Sequence, residues 1–145
     1  MTRSLLANWV FWAVLSAAFA ALTAIFAKVG VAGVDSDFAT LIRTVVILAV
    51  VAAIAGMRGA WQPVAEVPGR TWVFLLLSGL ATGASWLCYF RALKMGDAAR
   101  VAPVDKLSVV LVAVFGVIFL GEKLSAVAAL GVAFIAAGAV LVALG

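Results

Sequence analysis

The chain has 145 residues, 68% of them hydrophobic and 11% charged, with a formal net charge of +4 and a mean hydropathy of +1.30. A soluble domain is nearer half apolar and a quarter charged, so a water-soluble globular fold is excluded, and with it a soluble core that could carry an enzyme site. With no histidine and one cysteine, a zinc or transition-metal centre and an internal disulfide are excluded too, and no cofactor is implied.

Several apolar runs exceed the roughly 18 residues that suggest a spanning helix. The fold class that follows is all-α, a polytopic membrane protein with five transmembrane helices. They are expected at about residues 6–29, 38–57, 71–93, 98–120 and 125–144, forming one transmembrane domain over 1–145. In the first helix, Trp12, Ser16, Phe19, Thr23 and Phe26 recur at helical spacing and share a face. Ala13, Ala17, Ala21 and Ala24 make a second face small enough for close packing. Arg3 ahead of an apolar run resembles a signal peptide, but the run continues to Ala27 and reads as a retained helix closed by Lys28.

Asp35-Ser36-Asp37 caps the second helix. Arg43 then lies roughly 8 Å inside that helix at 1.5 Å per residue, either as an interfacial anchor or as a cation facing a cavity. Residues 58–70, with two prolines and two glycines, form the longest loop. The third helix carries a polar stripe, Ser78, Thr82, Ser85 and Tyr89, and a Gly79–Gly83 pair that permits close helix approach. Trp86 and Tyr89 fit an interfacial belt or the wall of a substrate cavity. Cys88 reads as a small buried hydrophobe. Arg91 and Lys94 close the helix, and Asp97 is placed to cap the next.

The fourth helix holds Pro103, Asp105, Lys106 and Ser108 and ends at Gly121. A charge at membrane depth costs roughly 2.5–3.5 kcal/mol, so the position of Asp105 matters. If the helix begins at Pro103, Asp105 is a first-turn residue at the interface. If it begins near Asp97, Pro103 is a kink and Asp105 lies roughly 12 Å inside. Length favours the second: only 18 residues run from Pro103 to Leu120, against 23 from Ala98. Helix neighbours project about 100° apart, so Asp105 and Lys106 are expected to face different ways. Asp105 would then pair with Arg43 or Arg91, leaving Lys106 toward the cavity. The fifth helix has no charge and many small residues.

Five spans put the termini on opposite sides. Arg3, Arg58, Arg70 and Lys123 fall on one side; Lys28, Arg91, Lys94 and Arg100, with Arg43 and Lys106 deeper, fall on the other. Balanced positive charge is compatible with insertion in both orientations. The basic residues sit at helix ends rather than in a run with interleaved aromatics, so lipid headgroups and topology account for the pI of about 9.9 and nucleic acid does not.

The run Tyr89-Phe90-Arg91-Ala92-Leu93-Lys94-Met95-Gly96-Asp97-Ala98-Ala99-Arg100-Val101-Ala102-Pro103 resembles the helix 3–helix 4 signature of the EamA domain in the drug/metabolite transporter superfamily. Phe119-Leu120-Gly121-Glu122-Lys123-Leu124, followed by a Gly- and Ala-rich last helix, does so too. The resemblance covers the whole chain in helix count, loop lengths and motif order. Most relatives carry two such domains as an inverted repeat, whose substrate site lies at the repeat interface. The resemblance therefore implies that this chain pairs, as an antiparallel homodimer or with a similar five-helix protein, in a bacterial or archaeal cytoplasmic membrane. Cavity-lining helices 1, 3 and 4 of the family, carried onto this chain, hold Trp12, Ser16, Trp86, Tyr89, Asp105 and Lys106. One departure stands out: smaller four-helix multidrug relatives depend on a glutamate in helix 1, and helix 1 here has no carboxylate.

The function expected is secondary transport of a small metabolite or amphiphile by alternating access. Pro103 would act as the hinge, and Arg43, Asp105 and Lys106 would supply charge. A cationic cavity favours a substrate with a carboxylate or phosphate. The alternative is a non-transporting structural or assembly subunit, or half of a heteromeric flippase or exporter.

Overall fold

The structure, a computed structural model, describes residues 8–145; Arg3 and the expected helix start at Leu6 lie outside them. The described residues form α1 (Trp9–Gly30), α2 (Ser36–Met57), a 3-10 turn (Val64–Glu66), α3 (Gly69–Met95), α4 (Ala98–Asp105), α5 (Leu107–Leu120) and α6 (Ala126–Leu144), with no strand among them. Counting α4 and α5 as one span, Ala98–Leu120, five helices are long and apolar enough to cross a membrane. The chain divides into two compact units, Val29–Lys94 and Met1–Lys28 with Met95–Gly145.

In the Val29–Lys94 unit, α2 starts at Ser36, two residues before the expected start at Phe38, with Asp35 at the cap. The Asp35 carboxylate accepts from the backbone N–H of Asp37 at 2.9 Å and of Phe38 at 3.2 Å, satisfying two of the free donors at a helix start. Thr40 and Thr44 donate their hydroxyls to the carbonyls of Ser36 and Thr40, at 2.9 and 2.8 Å. Their polarity is thus met inside an apolar helix. The 58–70 loop contains the single 3-10 turn after Pro63, and α3 begins at Gly69, two residues earlier than expected.

In the other unit, α4 and α5 each pack on α6. The fourth span begins at Ala98 with Asp97 at the cap position, though the Asp97 side chain bonds no backbone N–H there. Pro103 therefore lies inside a helix, as the deeper reading of this stretch requires. Pro103 has no N–H, so the Ala99 carbonyl loses its usual donor and is crowded by the ring. The helix opens one turn later: the Lys106 N–H is shared between the carbonyls of Ala102 and Pro103, at 3.3 and 3.1 Å, and Lys106 sits at φ −70°, ψ −4°. α5 ends at Gly121, whose φ of +69° is costly for any residue with a Cβ. Ser125 caps α6, accepting from the Ala128 N–H at 3.1 Å.

Large apolar side chains such as Phe19, Leu48, Leu80, Ile118 and Phe134 are exposed, the reverse of a soluble protein's surface and what a lipid-facing exterior requires. Cys88 corrects the sequence reading: it is exposed, not buried. An apolar residue on a membrane helix fits a lipid-facing position as well as a buried one, so helical periodicity alone did not place Cys88.

Candidate functional site

The residues of interest on α2 and α3 form an antiparallel ladder. The Lys94 ammonium donates to the Val34 carbonyl at 2.7 Å. One turn deeper, the Arg91 guanidinium meets the Asp37 carboxylate at 3.2 Å. Deeper again, the Arg43 guanidinium lies 4.4 Å from the centroid of Trp86 and 5.4 Å from that of Phe90. As one helix descends the other ascends, so each rung fixes the register for the next. Tyr89 is half-buried beside this ladder, its ring edge-on to Phe90 at 6.5 Å.

Arg43 is seven residues into α2, roughly 10 Å along the helix. A guanidinium stays charged in a protein. Among the described residues the Arg43 guanidinium lies over these two rings and within electrostatic reach of the Tyr89 phenol. A cation–π contact contributes about 0.5–2 kcal/mol, against about 2.5–3.5 kcal/mol for the charge at membrane depth. The stack offsets part of the burial and leaves the edge of the guanidinium, with its N–H donors, unused.

Asp105 lies seven residues into α4, again roughly 10 Å from the helix start. Its carboxylate meets the Lys106 ammonium at 3.1 Å. Within its own unit the cation that meets Asp105 is its neighbour Lys106, and within the other unit the carboxylate that meets Arg91 is Asp37. The expectation that the Asp105 and Lys106 side chains face different ways is not met: their charged ends meet at the turn at Lys106. An ion pair made within one stretch of chain brings no net charge into the span.

Trp12 and Ser16 on α1 are exposed, with the Trp12 ring edge-on to Phe11 at 5.5 Å. Lys28 at the end of α1 donates to the Gly96 carbonyl at 2.8 Å. Arg100 in α4 donates to the Ala143 carbonyl in the last turn of α6 at 3.0 Å. Sequence reasoning missed Asp37 as an ion-pair partner and Phe90 as the second ring under Arg43. Phe90 sits one turn after Trp86, at helical spacing from a residue already singled out, whereas Asp37, six residues before Arg43, shares no face with it. An apolar groove of about 310 Å³, lined by residues including Ala113, Val117, Leu124 and Val132, contains none of the expected site residues. The Asp35 carboxyl, outside the spans, is held below its ordinary range, first by the Phe38 N–H, then by that of Asp37, with Lys94 and Arg91 adding to the effect. Among the described residues no cluster of three metal-ligating side chains occurs.

Comparison with known proteins gives the following. The EamA-like transporter family matches residues 7–144. A protein of Sinorhizobium sp named "Uncharacterized transporter in cobO 3'region" is 75% identical over 136 residues, covering 94% of this chain and 96% of that protein. No solved structure matches the chain.

Proposed function

The chain belongs to the EamA-like transporter family, and from that premise we propose that it is a secondary transporter of small metabolites or amphiphilic compounds, working as a dimer of inverted protomers in a prokaryotic cytoplasmic membrane. The relative's name, a transporter, supports the activity. The observation that carries the mechanism is the break in the fourth span, where Pro103 and the turn at Lys106 divide one membrane-length helix in two. Discontinuous helices near the bilayer midplane are where secondary transporters bind solute and bend. A hinge there lets α4 change its angle to α5 during alternating access, and the Asp105–Lys106 pair placed beside the hinge can open to bind a proton or solute. The five spans match one repeat of the family, and a second, inverted copy would provide the other half of a repeat interface. Gly79 and Gly83 support this pairing, since a Cβ at either would meet nothing within 4 Å and the helix face they form is open to close approach.

The test is gradient-driven flux in proteoliposomes containing only this protein, across a panel of labelled carboxylates, phosphates and amines. The wild type is expected to transport at least one compound and to crosslink as a dimer. Asp105→Asn is expected to abolish gradient-driven flux, while unchanged flux in this variant removes Asp105 from the mechanism. A requirement for a second five-helix protein would favour a heteromer over the homodimer.

A further inference from the structure

Six basic side chains belong, by chain order, to the side reached by Lys28, and five of them are used up. Lys28 donates to Gly96 O, Arg91 to Asp37, Lys94 to Val34 O, Arg100 to Ala143 O and Lys106 to Asp105. Arg43 is the exception. Among the described residues it lies over two aromatic rings and within electrostatic reach of the Tyr89 phenol, and it makes no hydrogen bond or ion pair. It is also half-buried and well inside a membrane-length helix, where an uncompensated charge is least favourable.

We propose that Arg43, held by Trp86 and Phe90, is the binding site for the carboxylate or phosphate group of a small organic anion, and that this anion is the transported solute. The proposal rests on the transporter reading above for its second half. The chemistry is specific. The guanidinium carbon lies 4.4 Å from the Trp86 ring centroid, and a guanidinium edge carries N–H donors of the spacing that carboxylates and phosphates accept in bidentate fashion. The Asp37–Arg91 pair and the Lys94–Val34 bond hold α2 and α3 in register, so the receptor is formed before the ligand arrives. The nearest carboxylate on this ladder, Asp37, is already committed to Arg91 and does not compete. An anion arriving there neutralises the one cation of this group that makes no hydrogen bond or ion pair among the described residues. The same chemistry fits a lipid phosphate, and the experiment separates the two sources.

The purified full-length protein, in detergent at fixed ionic strength, is titrated with succinate, benzoate and inorganic phosphate, with tetramethylammonium as the cationic control, and followed by calorimetry and melting temperature. At least one of the anions is expected to bind and raise the melting temperature, and the cation is not. Arg43→Gln is expected to weaken that binding roughly 10- to 100-fold in Kd, the loss of a charge-assisted pair. Arg43→Lys, which keeps the charge but not the planar edge, should fall between the two and shows whether the glutamine variant fails for reasons of folding. In nanodiscs, soluble anions should stabilise the protein equally in phosphatidylcholine and in phosphatidylglycerol. Stabilisation by phosphatidylglycerol alone assigns the site to a lipid and overturns the proposal, as does anion binding of equal affinity in Arg43→Gln. The two readings fail separately. Arg43-dependent binding without flux in proteoliposomes refutes transport and keeps the site, whereas flux with an unchanged KM in Arg43→Gln refutes the site and keeps transport.

Discussion

Residues 29–94 and residues 95–145 solve the same problem, keeping helices together where water cannot help, by different means. The α2–α3 hairpin is joined by polar rungs: an ammonium on a carbonyl, an arginine on an aspartate, a guanidinium on an indole. The α4–α5–α6 stretch is joined by close apolar packing with Ala139 buried, and its helix-to-helix polar contact is Arg100 on the Ala143 carbonyl. Directional contacts fix which residues face each other. Non-directional packing fixes only how near the helices come and leaves their angle freer to change. The hairpin is therefore suited to present a chemical group at a set place, and the broken span to move.

Three substitutions test that contrast, and the largest effect is expected in the packed region. Ala139→Leu forces a bulky side chain into a site that is 4% exposed. It should cost about 1–3 kcal/mol or more, read as a fall in the denaturant midpoint of the purified protein. If the variant is as stable as wild type, the α6 face is not close-packed and the contrast fails. Arg91→Gln removes one rung of the hairpin. Because both partners are more than half exposed, its loss should cost no more than about 1 kcal/mol, and the effect should shrink further at high salt. A large, salt-independent loss would mean the pair carries the hairpin rather than only its register.

The smallest effect concerns the helix start. The folded Asp35 carboxyl titrates below its ordinary value of 3.8. Its charged form therefore stabilises the fold fully above that pH, and the contribution is lost as pH falls through the lower, folded value. Asp35→Ala should lower the melting temperature slightly at pH 7, and the gap to wild type should close below about pH 3.8. A gap that closes instead between pH 5 and 7 would assign it to another group.

The parts of this fold legible in the sequence are those set by local chemistry. Asp35 and Gly121 announce helix boundaries because a cap acts on the next turn of its own chain. The five spans follow from apolar length alone. What was not legible depends on how one helix is set against another. Arg43 and Trp86 were each singled out, yet nothing in either helix taken alone states that they meet; the register of α2 on α3 does. The contact of Asp105 with Lys106 was not legible either. The turn at Lys106 lies three residues beyond Pro103, and a regular helical wheel hides it. Cys88 was misplaced because an apolar residue on a membrane helix has two acceptable environments, lipid and protein, where a soluble core offers one.

The stack of Arg43 on Trp86 has one more consequence. The chain has five tryptophans, and among the described residues Trp86 is the one with a guanidinium over its ring. The emission of an indole depends on the electric field across it. Any event that neutralises or displaces that guanidinium therefore changes the light from a single known residue, so the protein carries an optical reporter at the place where its charge is least settled.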